Sequence, residues 1–377
     1  MQVIHRRQWL IVGAASGLAH RLPAAWALGA DVQAGFQRAS DILQAAVRSG
    51  QMQAAAIYAR DANTEFSRAF GSAPSVDAAF LLGSISKPIC MAALMTLYDQ
   101  GRFQLHDPVQ KYLPEFRGDR RGQVTISHLL THVSGLPDQL PNNAELRASH
   151  APLGEFVQAA MQVPLGFEPG SRYEYSSMGI LLAAEIAQRL ADEDIRELVW
   201  ERVLQPLAMQ HSDLGVQRLK PALIMPAQVE FGARESGGGS AQSRSWDWNS
   251  DYWRQLGAPW GGAHASAPDV ARFLTAFLQP PEGFLRPQTA ELMIANHNPE
   301  GIESRGLGFD VGMQAHCAHA TPTTFGHTGS TGTIAWADPA SGRLCVVLTT
   351  LPAGALEATT HPRRLAADAV FENQPDN

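Results

Sequence analysis

The stretch Ser84-Ile85-Ser86-Lys87-Pro88 opens a run of apolar residues that continues to Tyr98. The run predicts a helix over 84–98 that is apolar on all sides, which is the pattern of a buried helix, with Gly101 ending it. If the helix begins at Ser84, Lys87 lies on the same face and its amine points at the serine hydroxyl. A serine becomes a strong nucleophile when a neighbouring base takes its proton, and a buried amine with a lowered pKa can do so.

Lysine is rare in this chain, which makes Lys87 notable. The 377 residues include 26 Arg and three Lys, the other two being Lys111 and Lys220. Arg serves surface solubility and ion pairs as well as Lys does, but it does not supply an amine that titrates. The alternative interpretation of the motif is a serine N-cap followed by a solvated lysine, which would be unusual at the head of a buried helix.

Two further motifs carry groups that suit the same chemistry. Glu174-Tyr175-Ser176-Ser177 leads into a predicted helix near Gly179, and a tyrosine there can act as a general base beside an ammonium group. The segment Gly326-His327-Thr328-Gly329-Ser330-Thr331-Gly332 predicts a strand whose glycines let the backbone approach a ligand closely. Taken alone, the first motif also fits a buried aromatic residue, and the second also fits a glycine-rich hairpin.

In this order and at these separations, the three motifs resemble those of the serine β-lactamase and penicillin-binding-protein superfamily. The resemblance extends through Phe80–Phe116, Thr125–Pro137 and Gln205–Met209. It is strongest to the class C branch, which includes class C β-lactamases, D-Ala-D-Ala carboxypeptidases and β-lactamase-like esterases. It implies an α+β fold of the β-lactamase/transpeptidase type, with an antiparallel sheet flanked by helices and a helical insertion.

Strand patterns near both ends of the chain, with a helical middle, indicate one domain that is interrupted by an insertion. We expect an α/β domain formed by residues 31–99 and 261–377, and a mainly helical subdomain at 100–260. The patterns predict a hairpin at 54–70 and strands at 308–313, 333–336 and 343–350. They predict helices at 36–49, 180–190, 194–203, 267–278 and 364–371.

Carried over position by position, the resemblance implies a role for each motif. Ser84 is the acylated nucleophile, and Lys87 is its proton acceptor. Tyr175 takes the tyrosine role of the family's Tyr-x-Asn element, for which Tyr173 is a nearby competitor. The oxyanion hole is expected from the backbone N–H groups of Ser84 and Ser330. The residues expected to contact substrate in these motifs are Ser177, His327, Thr328 and Gly329.

Two positions depart from the family pattern. Ser177 stands where the family usually has Asn, so an amide is lost that would bond both Lys87 and the substrate. His327 stands where the β-lactamases have Lys, so the permanent cation that receives a β-lactam carboxylate is missing. Both changes favour substrates without an anionic tail, such as esters.

We therefore expect a serine hydrolase that acts through an acyl-enzyme, as a carboxylesterase on small or apolar acyl esters. The alternatives are a β-lactamase or D-Ala-D-Ala carboxypeptidase, and a non-catalytic binding protein on the same scaffold. A tryptophan-rich cluster at 246–260 is a candidate wall for the acyl group, with Trp248 in its centre. Packing of the insertion onto the core is the alternative role for this cluster.

The start of the chain is typical of an export signal. Met1–Ala30 combines a basic start, a moderately apolar stretch and the small residues of Ala25-Trp26-Ala27, which suit a signal peptidase. Its Arg6-Arg7-Gln8-Trp9-Leu10 run resembles a twin-arginine signal, which predicts a periplasmic or secreted protein. An amphipathic N-terminal helix of a cytosolic protein is the alternative. No segment is long enough to predict a stable membrane span after removal of the signal.

Composition limits the partners that are expected. The 29 basic and 36 acidic side chains give a net charge of −7, which argues against nucleic acid as a partner. The expected partner is a small-molecule ester, β-lactam or peptide substrate. No metal or organic cofactor is expected, because the Cys317 region lacks a fourth ligand at a recognisable spacing. Whether Cys317 pairs with Cys345 is left open.

Overall fold

The computed structural model describes residues 24–61, 64–313 and 316–372. Its strands are β1 (Ala54–Asp61), β2 (Thr64–Gly71), β3 (Phe80–Leu81), β4 (Ser212–Leu214), β5 (Ala263–Ala265), β6 (Asp310–Val311), β7 (Phe325–Gly329), β8 (Thr333–Ala337) and β9 (Leu344–Thr349). Its α-helices are α1 (Ala24–Arg48), α2 (Ser86–Asp99), α3 (Ile126–Leu130), α4 (Asn143–Ala148), α5 (Leu153–Gln162), α6 (Ser177–Ala191), α7 (Ile195–Val199), α8 (Asp251–Leu256), α9 (Ala267–Leu278), α10 (Pro287–Ile294) and α11 (Pro362–Ala369).

The main sheet has six antiparallel strands in the order β2-β1-β9-β8-β7-β6. The predicted hairpin forms β1 and β2, and β1 then pairs with β9 from the other end of the chain. Both neighbours of β9 are therefore strands, and its residues are buried on both faces of the sheet. This antiparallel sheet with flanking helices confirms the predicted α+β fold.

The two faces of the sheet bury separate sets of apolar side chains. In β9, Cys345 and Val347 point into the core that α1 and α11 cover, whereas Val346 and Leu348 point into the core that α9 covers. This alternation follows from the two-residue period of a strand. The sheet is thereby fixed between helices, and the end of β7 is held in a rigid position.

Helix α2 forms the centre of the second, larger core. Every residue from Ser86 to Leu97 is buried, as the apolar sequence pattern predicted. Helix α6 packs along it, and a small sheet with the strand order β3-β5-β4 lies at its start. Strand β3 leads directly into the turn that carries Ser84, so this small sheet positions the turn.

The helix predicted at 36–49 begins earlier, at Ala24, and three further predicted elements differ from the structure. Helix α2 begins at Ser86 rather than Ser84, because a short 3-10 turn, Gly83–Ile85, precedes it. The strand predicted at 308–313 is limited to β6, because Gly308 and Gly312 have φ values of 87° and 65°. The helix predicted at 194–203 is α-helical only as far as Val199 and continues as a π-helical segment, Trp200–Leu204.

Most of the predicted export signal, residues 1–23, lies outside the described residues. The expected cleavage motif Ala25–Ala27 falls at the start of α1. Among the described residues, no helix combines the length and the apolar character that crossing a membrane would require.

Candidate active site

Ser84 and Lys87 lie next to each other at the junction of β3 and α2. The Lys87 Nζ donates hydrogen bonds to the Ser84 Oγ at 3.0 Å and to the backbone oxygen of Trp260 at 2.9 Å. Ser84 itself lies in the 3-10 turn before α2, so it is partly exposed although the side chain of Lys87 is buried. The expected contact between the two side chains is present even though Ser84 precedes the α-helix.

Hydrogen bonds from neighbouring hydroxyl groups hold the turn in place. The Ser86 Oγ donates to the Gly83 backbone oxygen at 2.7 Å and accepts from the Ala263 N–H of β5 at 3.0 Å. The Thr331 Oγ1, just after β7, donates to the Leu81 backbone oxygen at 2.7 Å. The serine is thereby tied both to the small sheet and to the end of the main sheet.

Burial sets the protonation state of Lys87. Desolvation lowers the pKa of its ammonium group to about 7, while the negative charge of Asp138 opposes this shift and the positive charge of Arg305 adds to it. A large fraction of Lys87 is therefore a neutral amine at neutral pH. A neutral amine 3.0 Å from the Ser84 hydroxyl is well placed to accept its proton.

Tyr175, and not Tyr173, lines the cavity at Ser84. The Lys87 Nζ lies 4.7 Å from the centroid of the Tyr175 ring. Burial raises the pKa of Tyr175 above its ordinary value, and the charge of Arg305 and a hydrogen bond with Ser84 act in the opposite direction. The phenol therefore keeps its proton at neutral pH, so Tyr175 can donate or relay a proton in the resting protein.

A buried histidine supports Tyr175 from behind. The His132 ring lies 4.6 Å from the Tyr175 ring, and its Nδ1 accepts a hydrogen bond from the Ser176 N–H at 3.1 Å. The pKa of His132 is well below its ordinary value, first because of burial and then because of the charges of Arg305 and Lys87. His132 is therefore a neutral positioning group that fixes the backbone after Tyr175.

A buried arginine lies beside His327, at the position where the sequence lacks the lysine of the β-lactamases. The Arg305 Nη2 donates a hydrogen bond to the His327 Nε2 at 2.7 Å. Because the His327 Nε2 accepts this bond, the imidazole proton lies on Nδ1, which donates to the Thr328 backbone oxygen at 2.7 Å. The pKa of His327 lies well below its ordinary value, chiefly through burial. The positive charge thus comes from Arg305, which is itself ion-paired with Asp310.

The predicted substrate contacts divide into two groups. Trp248 and Ser177 line the cavity at Ser84, whereas the remaining three predicted residues are not among those that line it: His327, Thr328 and Gly329. The Ser177 Oγ donates to Asp138 Oδ1 at 2.5 Å, and the Ser177 N–H donates to the same oxygen at 3.1 Å. Ser177 therefore holds the carboxylate that adjusts the pKa of Lys87.

Ser330 lines the cavity together with Ser84. A Cβ atom on Gly83 would lie 3.3 Å from the Ser330 nitrogen and 2.9 Å from the Thr331 Oγ1, and Gly83 has a φ of 57°. Glycine is needed at position 83 because of both the close approach and the left-handed backbone. This approach brings the backbone of Ser330 close to the turn that carries Ser84.

The cavity is small and has an aromatic wall. It has a volume of about 120 Å³, and Trp248, Trp253 and Trp260 line it together with Ser84. Trp248 is 4% exposed, and it also belongs to the main apolar core. Both roles considered for the tryptophan cluster, packing and lining the cavity, are therefore combined in one side chain.

The described residues include neither a disulfide nor a cluster of metal-ligating side chains. Cys90, Cys317 and Cys345 are buried free thiols, so Cys317 and Cys345 are not joined. No group of three or more His, Cys, Asp or Glu side chains in the described part of the chain could hold a metal ion.

Sequence reasoning did not identify six charged or polar residues in or beside the site. These are His132, Asp138, Gln139, Arg147, Glu235 and Arg305. Asp138 and His132 fall in or next to the quoted Thr125–Pro137 stretch, so their position beside a family motif was an available signal. Arg147 and Arg305 are remote from every motif and reach the site only through the tertiary fold.

Comparisons with known proteins identify the family of the chain. A family model described as Beta-lactamase matches residues 39–369. The chain is 29% identical over 320 residues to the esterase EstB of Burkholderia gladioli, which covers 75% of this chain and 79% of that protein.

Solved structures share the fold. EstCE1, described as a hydrolase with promiscuous acyltransferase activity, is similar with a TM-score of 0.72 and 23% identity, covering 91% of this chain and 99% of that chain. A penicillin-binding protein homologue from Caulobacter crescentus is similar with a TM-score of 0.71 and 19% identity, covering 89% of this chain and 97% of that chain.

Proposed function

The chain belongs to the beta-lactamase family of serine hydrolases, and from this premise we propose that it is a carboxylesterase that acts on small or apolar acyl esters through an acyl-enzyme. The observation that carries the proposal is the 3.0 Å hydrogen bond between the Lys87 Nζ and the Ser84 Oγ, made by an amine whose pKa burial lowers to about 7. This pair supplies a nucleophile and its base in one contact.

In the proposed acylation step, the Ser84 Oγ attacks the ester carbonyl carbon while its proton passes to the Lys87 amine. The carbonyl oxygen becomes an oxyanion that the N–H groups of Ser84 and Ser330 stabilise. The tetrahedral intermediate then breaks its bond to the alcohol oxygen. That oxygen leaves with a proton from the Lys87 ammonium, relayed by the Tyr175 hydroxyl, and the acyl group remains on Ser84.

In the second half of the reaction, water attacks the acyl carbon and releases the acid, so that Ser84 regains its proton. The overall change is one ester and one water converted into one acid and one alcohol. Tyr175 and Lys87 both contact Ser84, and we propose that Tyr175 positions the water. Lys87, as the group with the lower pKa, takes the proton from that water.

Three features support an ester in preference to a β-lactam or a peptide carboxylate. His327 is neutral, since its pKa is lowered. The charge of Arg305 is compensated by Asp310, and the Arg305 side chain is only 2% exposed. The acyl cavity of about 120 Å³ suits a short acyl chain against tryptophan rings.

The proposal is tested by assaying wild-type protein and Ser84→Ala with p-nitrophenyl butyrate and with a chromogenic cephalosporin. We expect wild type to hydrolyse the ester and Ser84→Ala to lose about a thousandfold or more in kcat, because the nucleophile is removed. An exposed serine in β2, at the edge of the main sheet away from β7, provides a matched control, and Ser67→Ala should retain full activity.

The outcomes separate the candidate functions. Equal ester turnover by Ser84→Ala would exclude the acyl-enzyme at Ser84. Faster turnover of the cephalosporin than of the ester by wild type would replace the esterase proposal with a β-lactamase. If neither substrate reacts and a fluorophosphonate probe does not label Ser84, the result would favour a binding protein.

A further inference from the structure

The cavity at Ser84 contains a buried cation that the proposed reaction does not use. Arg147, on α4 in the helical region, lines the cavity and is only 1% exposed. Burial lowers its pKa to about 10, so the guanidinium group stays charged at neutral pH. A buried charge of this kind is costly unless a partner compensates it.

The described residues satisfy this guanidinium group only in part. Its Nε donates to the Asn143 Oδ1 at 3.2 Å, and the group lies 4.3 Å from the centroid of the Trp253 ring. The Arg147 Nη1 is buried and has no hydrogen-bond partner among the described residues. No carboxylate of the described chain lies within ion-pair distance of Arg147.

A second buried arginine shows how the terminal nitrogens of such a group are satisfied away from the site. Arg121 is 3% exposed, and it pairs with Asp119 through Nη1 and donates from Nη2 to the backbone oxygens of Gln162 and Val163. Its Nε lacks a partner, as it does in each other described arginine with a buried unpartnered nitrogen except Arg147, where the unpartnered atom is the terminal Nη1. The difference indicates that a ligand atom completes the hydrogen bonding of Arg147.

The charges around the cavity define the kind of ligand atom that fits. Glu235 also lines the cavity, and its negative charge raises the pKa of Arg147. Asp138 lines the cavity as well. A ligand carboxylate would be repelled by both side chains, whereas a neutral oxygen acceptor would bond Nη1 without that repulsion.

We propose that Arg147 is a specificity-determining residue that binds a neutral oxygen in the acyl part of the substrate, so that short oxygen-bearing acyl groups are preferred over apolar ones of equal length. The inference rests on the proposed esterase function and names the substrate class for that site. The tryptophan rings surround the hydrocarbon part of the acyl chain, and Arg147 recognises its single polar atom.

The test compares two p-nitrophenyl esters that differ by one atom, pentanoate and 3-methoxypropanoate, in which an ether oxygen replaces a methylene group. The ratio of their kcat/KM values is corrected by the ratio of their alkaline hydrolysis rates. We expect wild type to prefer the ether by about tenfold or more, as a hydrogen bond to a charged donor would give. Arg147→Met, which keeps the apolar volume, should lose this preference.

The ratio within one variant does not depend on how much of the protein is folded, because both esters report on the same active molecules. Arg121→Met is the matched control for loss of a buried arginine, and it should keep the preference. Arg147→Gln should keep part of it, since an amide N–H replaces the guanidinium donor. A preference that survives in Arg147→Met, or that is lost equally in Arg121→Met, would overturn the inference.

A third ester separates a neutral acceptor from an anion. If p-nitrophenyl hemisuccinate is the best of the three substrates, Arg147 binds a carboxylate and the proposal of a neutral acceptor is overturned. If wild type hydrolyses pentanoate through Ser84 but shows no preference for the ether, only the inference about Arg147 fails. If none of the three esters is hydrolysed, the proposed esterase function fails with it.

Discussion

The charge of Lys87 depends on its burial and on two neighbours of opposite charge. Desolvation lowers its pKa to about 7, Asp138 raises it and Arg305 lowers it. Two histidines beside the site, His132 and His327, have lowered pKa values and stay neutral near neutral pH. A single group therefore controls the ionisation of the site near neutral pH.

We expect kcat/KM for p-nitrophenyl butyrate to rise with pH along one ascending limb centred near pH 7, because Lys87 must be neutral to accept a proton. Asp138→Asn should move this limb to lower pH, since removal of a negative charge lowers the pKa of Lys87. The asparagine oxygen can still accept the two hydrogen bonds from Ser177. The measurement is a pH–rate profile from about pH 5.5 to 8.5.

Asp107, which pairs with Lys111 at the surface, provides the matched control for loss of an aspartate charge. Asp107→Asn should leave the limb where it is. A limb that stays in place in Asp138→Asn, or one that moves to higher pH, would contradict the assignment of the limb to Lys87.

Close backbone approach joins the main sheet to the nucleophile's turn. A Cβ atom on Gly329, at the end of β7, would lie 2.2 Å from the backbone oxygen of Leu82. The Thr333 hydroxyl at the start of β8 donates to that same oxygen at 2.7 Å. The segment before Ser84 therefore rests directly on the end of β7, which sets the distance between Ser84 and Ser330.

Gly329→Ala should push the end of β7 away from the turn and misplace the Ser330 N–H. We expect kcat for ester hydrolysis to fall by about tenfold or more, because small displacements of a stabilising donor are costly. Gly154→Ala is the matched control, since a Cβ atom at that position has no neighbour within 4 Å and no positive φ to oppose it. Activity and thermal unfolding should be measured on both variants.

The control should match wild type in kcat and in unfolding temperature. If Gly329→Ala loses stability but keeps the wild-type kcat in its folded fraction, the close approach serves only packing. That result would remove Gly329 from the account of the oxyanion hole.

Elements with a regular pattern could be predicted from the sequence, and those set by the backbone or by distant contacts could not. Helix α9 was predicted with the bounds it has in the structure, because its apolar period and its Ser266 cap are local signals. The contact between Ser84 and Lys87 was predictable because three positions separate the two residues. The shortening of β6 by Gly308 and Gly312 was not, because the φ of a glycine depends on its neighbours in the fold.

The charged residues of the site show the same difference between local sequence signals and contacts made by the tertiary fold. His327 was recognised from its motif, but the cation beside it comes from Arg305, which follows no motif and reaches the site through its position before β6. Arg147 likewise comes from α4 in the helical region. A sequence motif predicts the reacting groups, whereas the fold determines which charges surround them.

Several histidines of the folded protein are buried and neutral. His264, in β5, and His361, at the start of α11, have pKa values that burial lowers to about 4. Burial also lowers the pKa of His132 and His327 well below the ordinary value. An unfolded histidine titrates near pH 6.5, so below that pH the unfolded chain binds protons that the folded chain does not.

The contribution of these histidines to folding stability should therefore be fully present above about pH 6.5 and should fall as the pH decreases below it. Each such histidine contributes a slope of about 1.4 kcal/mol per pH unit until its own folded pKa is reached. Asp269 acts in the opposite direction, because burial raises its pKa. Urea unfolding from pH 7.5 to 5 measures the sum as a change in the free energy of unfolding.

His361→Asn tests the origin of this slope at one position. The His361 Nδ1 accepts a hydrogen bond from the Arg363 N–H at the start of α11, and asparagine is able to replace that cap without titrating. The variant should therefore lose about 1.4 kcal/mol per pH unit of slope between pH 6 and 5 relative to wild type. His106→Asn, at an exposed position, should keep the wild-type slope. An unchanged slope in His361→Asn would show that acid unfolding starts from other groups, because a histidine that is neutral when folded must take up a proton on unfolding.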